Sequence, residues 1–121
     1  MSIAYWIVAG VAALAFLGAG VMKLVRPKAA LASSGLAWVE DFTTGPVKLI
    51  GAAEVLGAIG LILPKLLGIA PVLGPIAGIA LAILMLGAIV VHVRRHETFV
   101  PALVLALLAA AAAVLGFLAL P

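Results

Sequence analysis

The stretch IAYWIVAGVAALAFLGAGVMKLV, residues 3–25, decides the fold, and it is followed at once by Arg26-Pro27-Lys28. It is 23 residues of almost unbroken apolar side chains, and an α-helix needs about 20 to cross a hydrocarbon core about 30 Å thick. Three more runs of the same kind follow, over residues 45–63, 71–91 and 99–120. None alternates with period two, so a lipid-facing β-barrel does not fit. In lipid a helix satisfies its own backbone hydrogen bonds, so all four runs are expected to be helical. The fold class read from this is an all-α membrane protein. The expected architecture is one four-helix transmembrane bundle over residues 1–121.

Composition agrees with that solvent. The chain has 121 residues, of which 68% are hydrophobic and 9% charged, whereas soluble chains carry about 25% charged residues. The mean hydropathy is +1.47. The formal charge of +3 sits beside the apolar runs. It therefore reads as a topology signal at the headgroups and not as a nucleic-acid surface. There is no cysteine, which removes disulfides, thiolate nucleophiles and Cys-ligated clusters from consideration.

The breaks are marked by proline and charge. Arg26-Pro27-Lys28 closes the first run, Pro64-Lys65 closes the second, and Pro71 and Pro75 stand near the start of the third. Pro46 and Pro101 suit the first turns of the second and fourth helices. The first run lacks a basic segment before it and is too long for a signal-peptide core, so it is expected to be a retained helix. Between the first two runs, the apolar residues Ala29-Ala30-Leu31 and Trp38-Val39 predict a short interfacial helix with a turn at Ser33-Ser34-Gly35.

The loops after helices one and three lie on one side, with Lys23, Arg26, Lys28, Lys48, Arg94 and Arg95; the other side holds both termini and Lys65. The positive-inside rule predicts a multi-pass protein of the cell membrane with its N- and C-termini outside the cytoplasm. Tyr5, Trp6 and Phe117 are expected to mark the outer headgroup level, and Trp38, Phe42 and Phe99 the inner one.

Helices associate in lipid through close backbone approach at small residues. Gly74 and Gly78 form a GxxxG spacing, and Gly57 lies in the small-residue row of the second helix. These glycines are expected to pack within one bundle. A dimer face, hence a homo-oligomer, is the alternative reading of the same spacing.

Glu54 is the most informative polar residue, because an ionisable group inside a membrane helix marks a functional site or an ion pair. Gly51 and Gly57, three residues to either side, share its face, so it is expected to point into the seam of the bundle. Lys23, one turn inside the end of helix one, is the best partner, with snorkelling to the headgroups as its alternative. Lys48 is six positions away on Glu54's own helix, so pairing along that helix is not expected. His92 ends the third helix near the same level. His92 and His96 have an i,i+4 spacing, but a third metal ligand is missing unless Glu97 turns back. The ligand-binding or proton site is therefore placed at Glu54, Lys23, His92 and Gly51, with no metal and no catalytic residue expected.

Three segments resemble a known family. They are Gly20 to Pro27 (GVMKLVRP), Lys48 to Pro64 (KLIGAAEVLGAIGLILP) and Leu84 to Ala88 (LMLGA) running on to His92 and Arg94-Arg95. Together the chain is similar to DoxX-like membrane proteins over nearly its whole length. The resemblance implies a four-helix membrane domain, with Lys23, Gly51, Glu54 and His92 as the residues that carry over. Some relatives are described as the small membrane subunit of a thiosulfate:quinone oxidoreductase, and others are linked to redox-stress complexes. The implied role is a non-catalytic subunit or scaffold in a bacterial inner membrane, with quinone as ligand and a membrane or peripheral redox protein as partner. Sulfur chemistry here could not use a cysteine of the chain. The alternative is a small proton-coupled transporter using Glu54. Small multidrug transporters are four-helix chains of similar length, but their membrane glutamate lies in helix one.

Overall fold

A computed structural model describes residues 2–121. Its helices are α1 (Ser2–Val25), α2 (Lys28–Ser33), α3 (Thr44–Leu67), α4 (Leu73–Arg94) and α5 (Val100–Leu118), with a 3-10 segment at Ala37–Asp41. All but α2 are long and apolar enough to cross a membrane. α1 packs on α3 and α5, and α4 packs on the same two helices, so the four long helices form a ring. The two basic loops close one end, here called the basic end. The termini and the α3–α4 connection lie at the other.

Side chains are distributed as lipid requires. The interior is built from Ala9, Ala12, Ala58, Ala106, Ala109 and Ala112, with Tyr5, Phe16, Leu61 and Leu81 among them. The large aliphatics face outward: Ile3 is 78% and Leu14 75% exposed. In water such a surface would aggregate, whereas in lipid it has no reason to be buried. The bundle is held instead by close approach. A Cβ on Gly20 would fall 2.6 Å from the Gly51 carbonyl oxygen, so α1 and α3 cross where neither helix has a side chain.

Several helix boundaries differ from the reading of the sequence. The second span does not stop at residue 63 but runs through Pro64 to Leu67. A proline inside a membrane helix is tolerated where neighbours meet the freed carbonyls. Pro64 withholds its N–H from the Gly60 carbonyl, and one residue further on the Tyr5 hydroxyl donates to the Leu61 carbonyl at 2.5 Å. The stop is Gly68 at φ 69°, whose N–H bonds the Lys65 carbonyl while that of Ile69 bonds Pro64. The third span begins at Leu73 and continues past residue 91 to Arg94. His96 ends it in the same manner, at φ 58°, with its N–H on Val93 O and that of Glu97 on His92 O. The fourth spans 100–118, with Pro101 in its first turn as expected.

The short helix between the first two spans is α2, within the expected segment. The 3-10 segment after it was not foreseen. It folds over the basic end, where Leu31, Trp38, Val39 and Val47 form a second small core. Two aromatic expectations need correction. Tyr5 is fully buried, and Trp38 faces inward with only 9% exposure, so neither presents its ring to the headgroups. Each has a partner inside: Tyr5 the Leu61 carbonyl, and Trp38 the edge of Phe42.

Candidate functional site

At the basic end the long helices enclose a cavity of about 390 Å³ with a largely apolar wall. α1 contributes Ala19 and Lys23, and α3 contributes Ile50 and Glu54. α4 brings a strip from Leu84 to His92, α5 brings Ala102 and Leu105, and Leu36, Trp38 and Phe42 roof it.

The polar feature of the wall is an ion pair. Lys23 Nζ lies 2.7 Å from Glu54 Oε1. Lys23 is 7% and Glu54 1% exposed. Glu54 sits ten residues into a 24-residue helix, about 15 Å from its start. Lys23 therefore reaches down to the carboxylate and does not snorkel. The contact is short but lacks hydrogen-bond geometry, which leaves Oε1 buried with accepting capacity unmet. Lys23 Nζ also stands 5.9 Å from the Trp38 ring centroid, within cation–π range.

The backbone makes this reach feasible. A Cβ on Gly51 would lie 2.8 Å from the Lys23 Cβ and 2.9 Å from the Gly20 carbonyl oxygen. Gly51 thus takes its place in the site as the residue that lets α1 approach α3 where the pair forms. Lys48 has a separate task that sequence reading missed. Its ammonium donates to the carbonyls of Lys23, Leu24 and Arg26, at 2.8, 2.8 and 3.0 Å. A basic group at a helix C-terminus satisfies carbonyls left without an intrahelical donor. The sequence signal was present: Lys48 enters α3 one turn after its start, level with the end of the antiparallel α1.

His92 lines the same cavity, and its Nδ1 lies 3.0 Å from Glu97 Oε1. Glu97 does turn back, yet His96 points elsewhere because it occupies the left-handed position that ends α4. Among the described residues no cluster of three or more His, Asp or Glu side chains is placed to hold a metal ion.

The roof is tied down by Arg95, a role that sequence reading did not give it. Its Nη1 lies 2.7 Å from Asp41 Oδ1 and its Nη2 3.7 Å from Glu40 Oε1, both in the 3-10 segment. Its Nε donates to Glu97 Oε2 at 3.2 Å. The hydrogen bond from His92, helped by Arg95, holds the Glu97 carboxyl below its usual range, and Asp41 with Glu97 pushes the Arg95 guanidinium up.

Gly57, Gly74 and Gly78 lie away from the cavity. The missing Cβ of Gly57 faces Leu81, that of Gly74 faces the Tyr5 hydroxyl, and that of Gly78 faces the Ala109 carbonyl. All three contacts are inside the bundle.

A model of the DoxX-like family matches residues 7–114. The chain belongs to the DoxX-like family. The matched range runs from the second turn of α1 well into α5 and contains Lys23, Gly51, Glu54 and His92. No curated protein and no solved structure matches the chain. In this DoxX-like protein, then, a multi-pass membrane bundle brings Lys23, Glu54 and His92 of the family-like segments to one cavity.

Proposed function

We propose that this DoxX-like protein is a non-catalytic membrane subunit that binds a small lipid-soluble ligand of the quinone class in the cavity at its basic end. The carrying observation is a buried ion pair, Lys23 with Glu54, on a largely apolar wall. Small-molecule sites have this composition, with apolar lining for affinity and a few polar groups for orientation. The cavity volume suits a quinone head group. Lys23 can donate to its carbonyl oxygens, and Glu54, with the Nε2 of His92 left free by the Nδ1 contact to Glu97, can accept from the hydroxyls of a reduced head. A quinone supplies reversible electron acceptance; the chain's own residues bind the head group, orient it and keep water away. Without cysteine, electron transfer to or from it falls to a partner redox protein. The predominance of Lys and Arg at the basic end supports placing that end in the cytoplasm and both termini outside.

The test is native mass spectrometry of the protein extracted gently from its own membrane. A quinone mass or a stoichiometric oxidoreductase supports the reading. A bare chain, alone or as a homo-oligomer, overturns it.

The second reading is proton-coupled transport, favoured by the burial of Glu54 beside a cavity. It requires the carboxylate to release Lys23 in each cycle. Proton-driven uptake in proteoliposomes that disappears in Glu54→Gln would establish it.

A further inference from the structure

We infer that the cavity is entered sideways from the bilayer, through a portal at Gly87, so that the ligand's head lies in the protein while its tail stays in lipid. The inference rests on the ligand-site reading above and adds the route and the residue that controls it.

The basic end of the cavity is covered. Trp38 and Phe42 roof the cavity, and the segment carrying Trp38 is latched by Arg95 to Asp41. The side wall is different. Gly87 lines the cavity and is exposed, and a Cβ there would meet nothing within 4 Å. It lies nine residues after Gly78, which packs on α5. At 100° per residue that is the opposite face of α4, so Gly87 looks away from α5 and towards the side on which Ile50 of α3 lines the same cavity. Gly87 is also seven residues before the end of α4, about 10 Å below the basic end, at the depth of hydrocarbon and not of headgroups. The cavity, at about 390 Å³, is near the lower limit for small-molecule sites. It accommodates a ring-sized head but no long isoprenoid or alkyl chain. An amphiphile with its head at Lys23 and Glu54 therefore needs an opening to lipid for its tail, and Gly87 leaves one by having no side chain.

The experiment compares two quinones in lipid nanodiscs: a dimethoxy-methylbenzoquinone with a decyl tail and the same ring without it. Binding is read by quenching of Trp38 in a Trp6→Phe background. Gly87→Phe, and Gly87→Leu as a smaller plug, are set against Gly18→Phe, at another exposed glycine with open space around it. In the Gly87 variants the tailed quinone is expected to bind about tenfold more weakly, the cost of a modest overpacking. Binding of the tail-less ring, and both ligands in Gly18→Phe, stay at the parent level. Unchanged binding of the tailed quinone in both Gly87 variants overturns the portal while leaving the ligand site standing. Equal weakening of both quinones also overturns it, because the substitution then damages the cavity and not the path. If neither quinone binds the parent protein, the ligand-site reading falls and the portal with it.

Discussion

Removing both members of the Lys23–Glu54 pair should cost no more than removing one. At 2.7 Å, two unit charges attract by about 6 kcal/mol at an effective dielectric constant near 20. Most of that is offset by taking the charges out of water, so the pair as a whole adds little net stability. The single variants behave differently. Glu54→Gln leaves an ammonium buried without its counter-charge, and Lys23→Met leaves a carboxylate in the same position. Each is expected to destabilise by about 3–5 kcal/mol. The double variant is neutral on both sides and should lose no more than the worse single variant, giving a coupling of at least about 3 kcal/mol. The assay is reversible SDS unfolding in mixed micelles, followed by tryptophan fluorescence for all four proteins of the cycle. A double variant whose loss equals the sum of the two singles would refute the pair, as would single losses below about 1 kcal/mol, the range of exposed ion pairs.

Three other perturbations test the packing and the latch. Gly20→Ala places a methyl 2.6 Å from the Gly51 carbonyl oxygen and should cost about 1–3 kcal/mol by forcing α1 from α3. Gly18→Ala, with open space around it, should be neutral or gain up to about 1 kcal/mol, and equal melting temperatures for the two would contradict the crossing. Tyr5→Phe removes the hydrogen bond to Leu61 and should cost about 0.6 kcal/mol, the average for such bonds in membrane bundles, read as a small drop in melting temperature. Glu97 has a lowered pKa in the fold, so its contribution is complete above the ordinary glutamate value of about 4.3 and is lost as pH falls through the lowered one. Melting temperatures of wild type and Glu97→Gln should differ by a constant amount from neutral pH to about 5 and converge in stronger acid; a gap unchanged down to about pH 3 would remove Glu97 from the latch.

The spans were legible because hydropathy over about 20 residues is a property of each segment alone. Their ends were less so. Pro64 reads as a stop in isolation, and only Tyr5, brought from 56 residues away, shows that a neighbour serves the carbonyls near it. The inward face of Glu54 could be read from Gly51, Gly57 and Ala58, since neighbours at three and four positions share a face. Whether Lys23 pairs or snorkels could not. That choice depends on how closely α1 crosses α3 at Gly20 and Gly51, a relation between segments that no local pattern carries. The 3-10 roof escaped for a related reason: five residues are too few to show a period, and what fixes them is Arg95 from the far loop.

The two lysines near the crossing divide the work in a way that shapes the site. Lys48 is held by three main-chain carbonyls at the end of α1, so its charge is committed there, and Lys23 is the cation left for Glu54. The pair has no net charge whether the shared proton sits on the amine or on the carboxyl. The pair therefore presents a local dipole without a net charge. Such a wall gives an anionic or cationic amphiphile no compensation for leaving the headgroup region, because attraction to one member is matched by repulsion from the other. A neutral head with both a donor and an acceptor can address both members at once. That is the chemistry of a lipid-soluble quinone passing between its oxidised and reduced forms, and it predicts that fatty acids and alkylammonium ions compete poorly for the site. Glu54→Gln should change that preference: with Lys23 left uncompensated, fatty-acid competition for the tailed quinone should rise, and a competition curve that does not move would separate the pair from ligand choice.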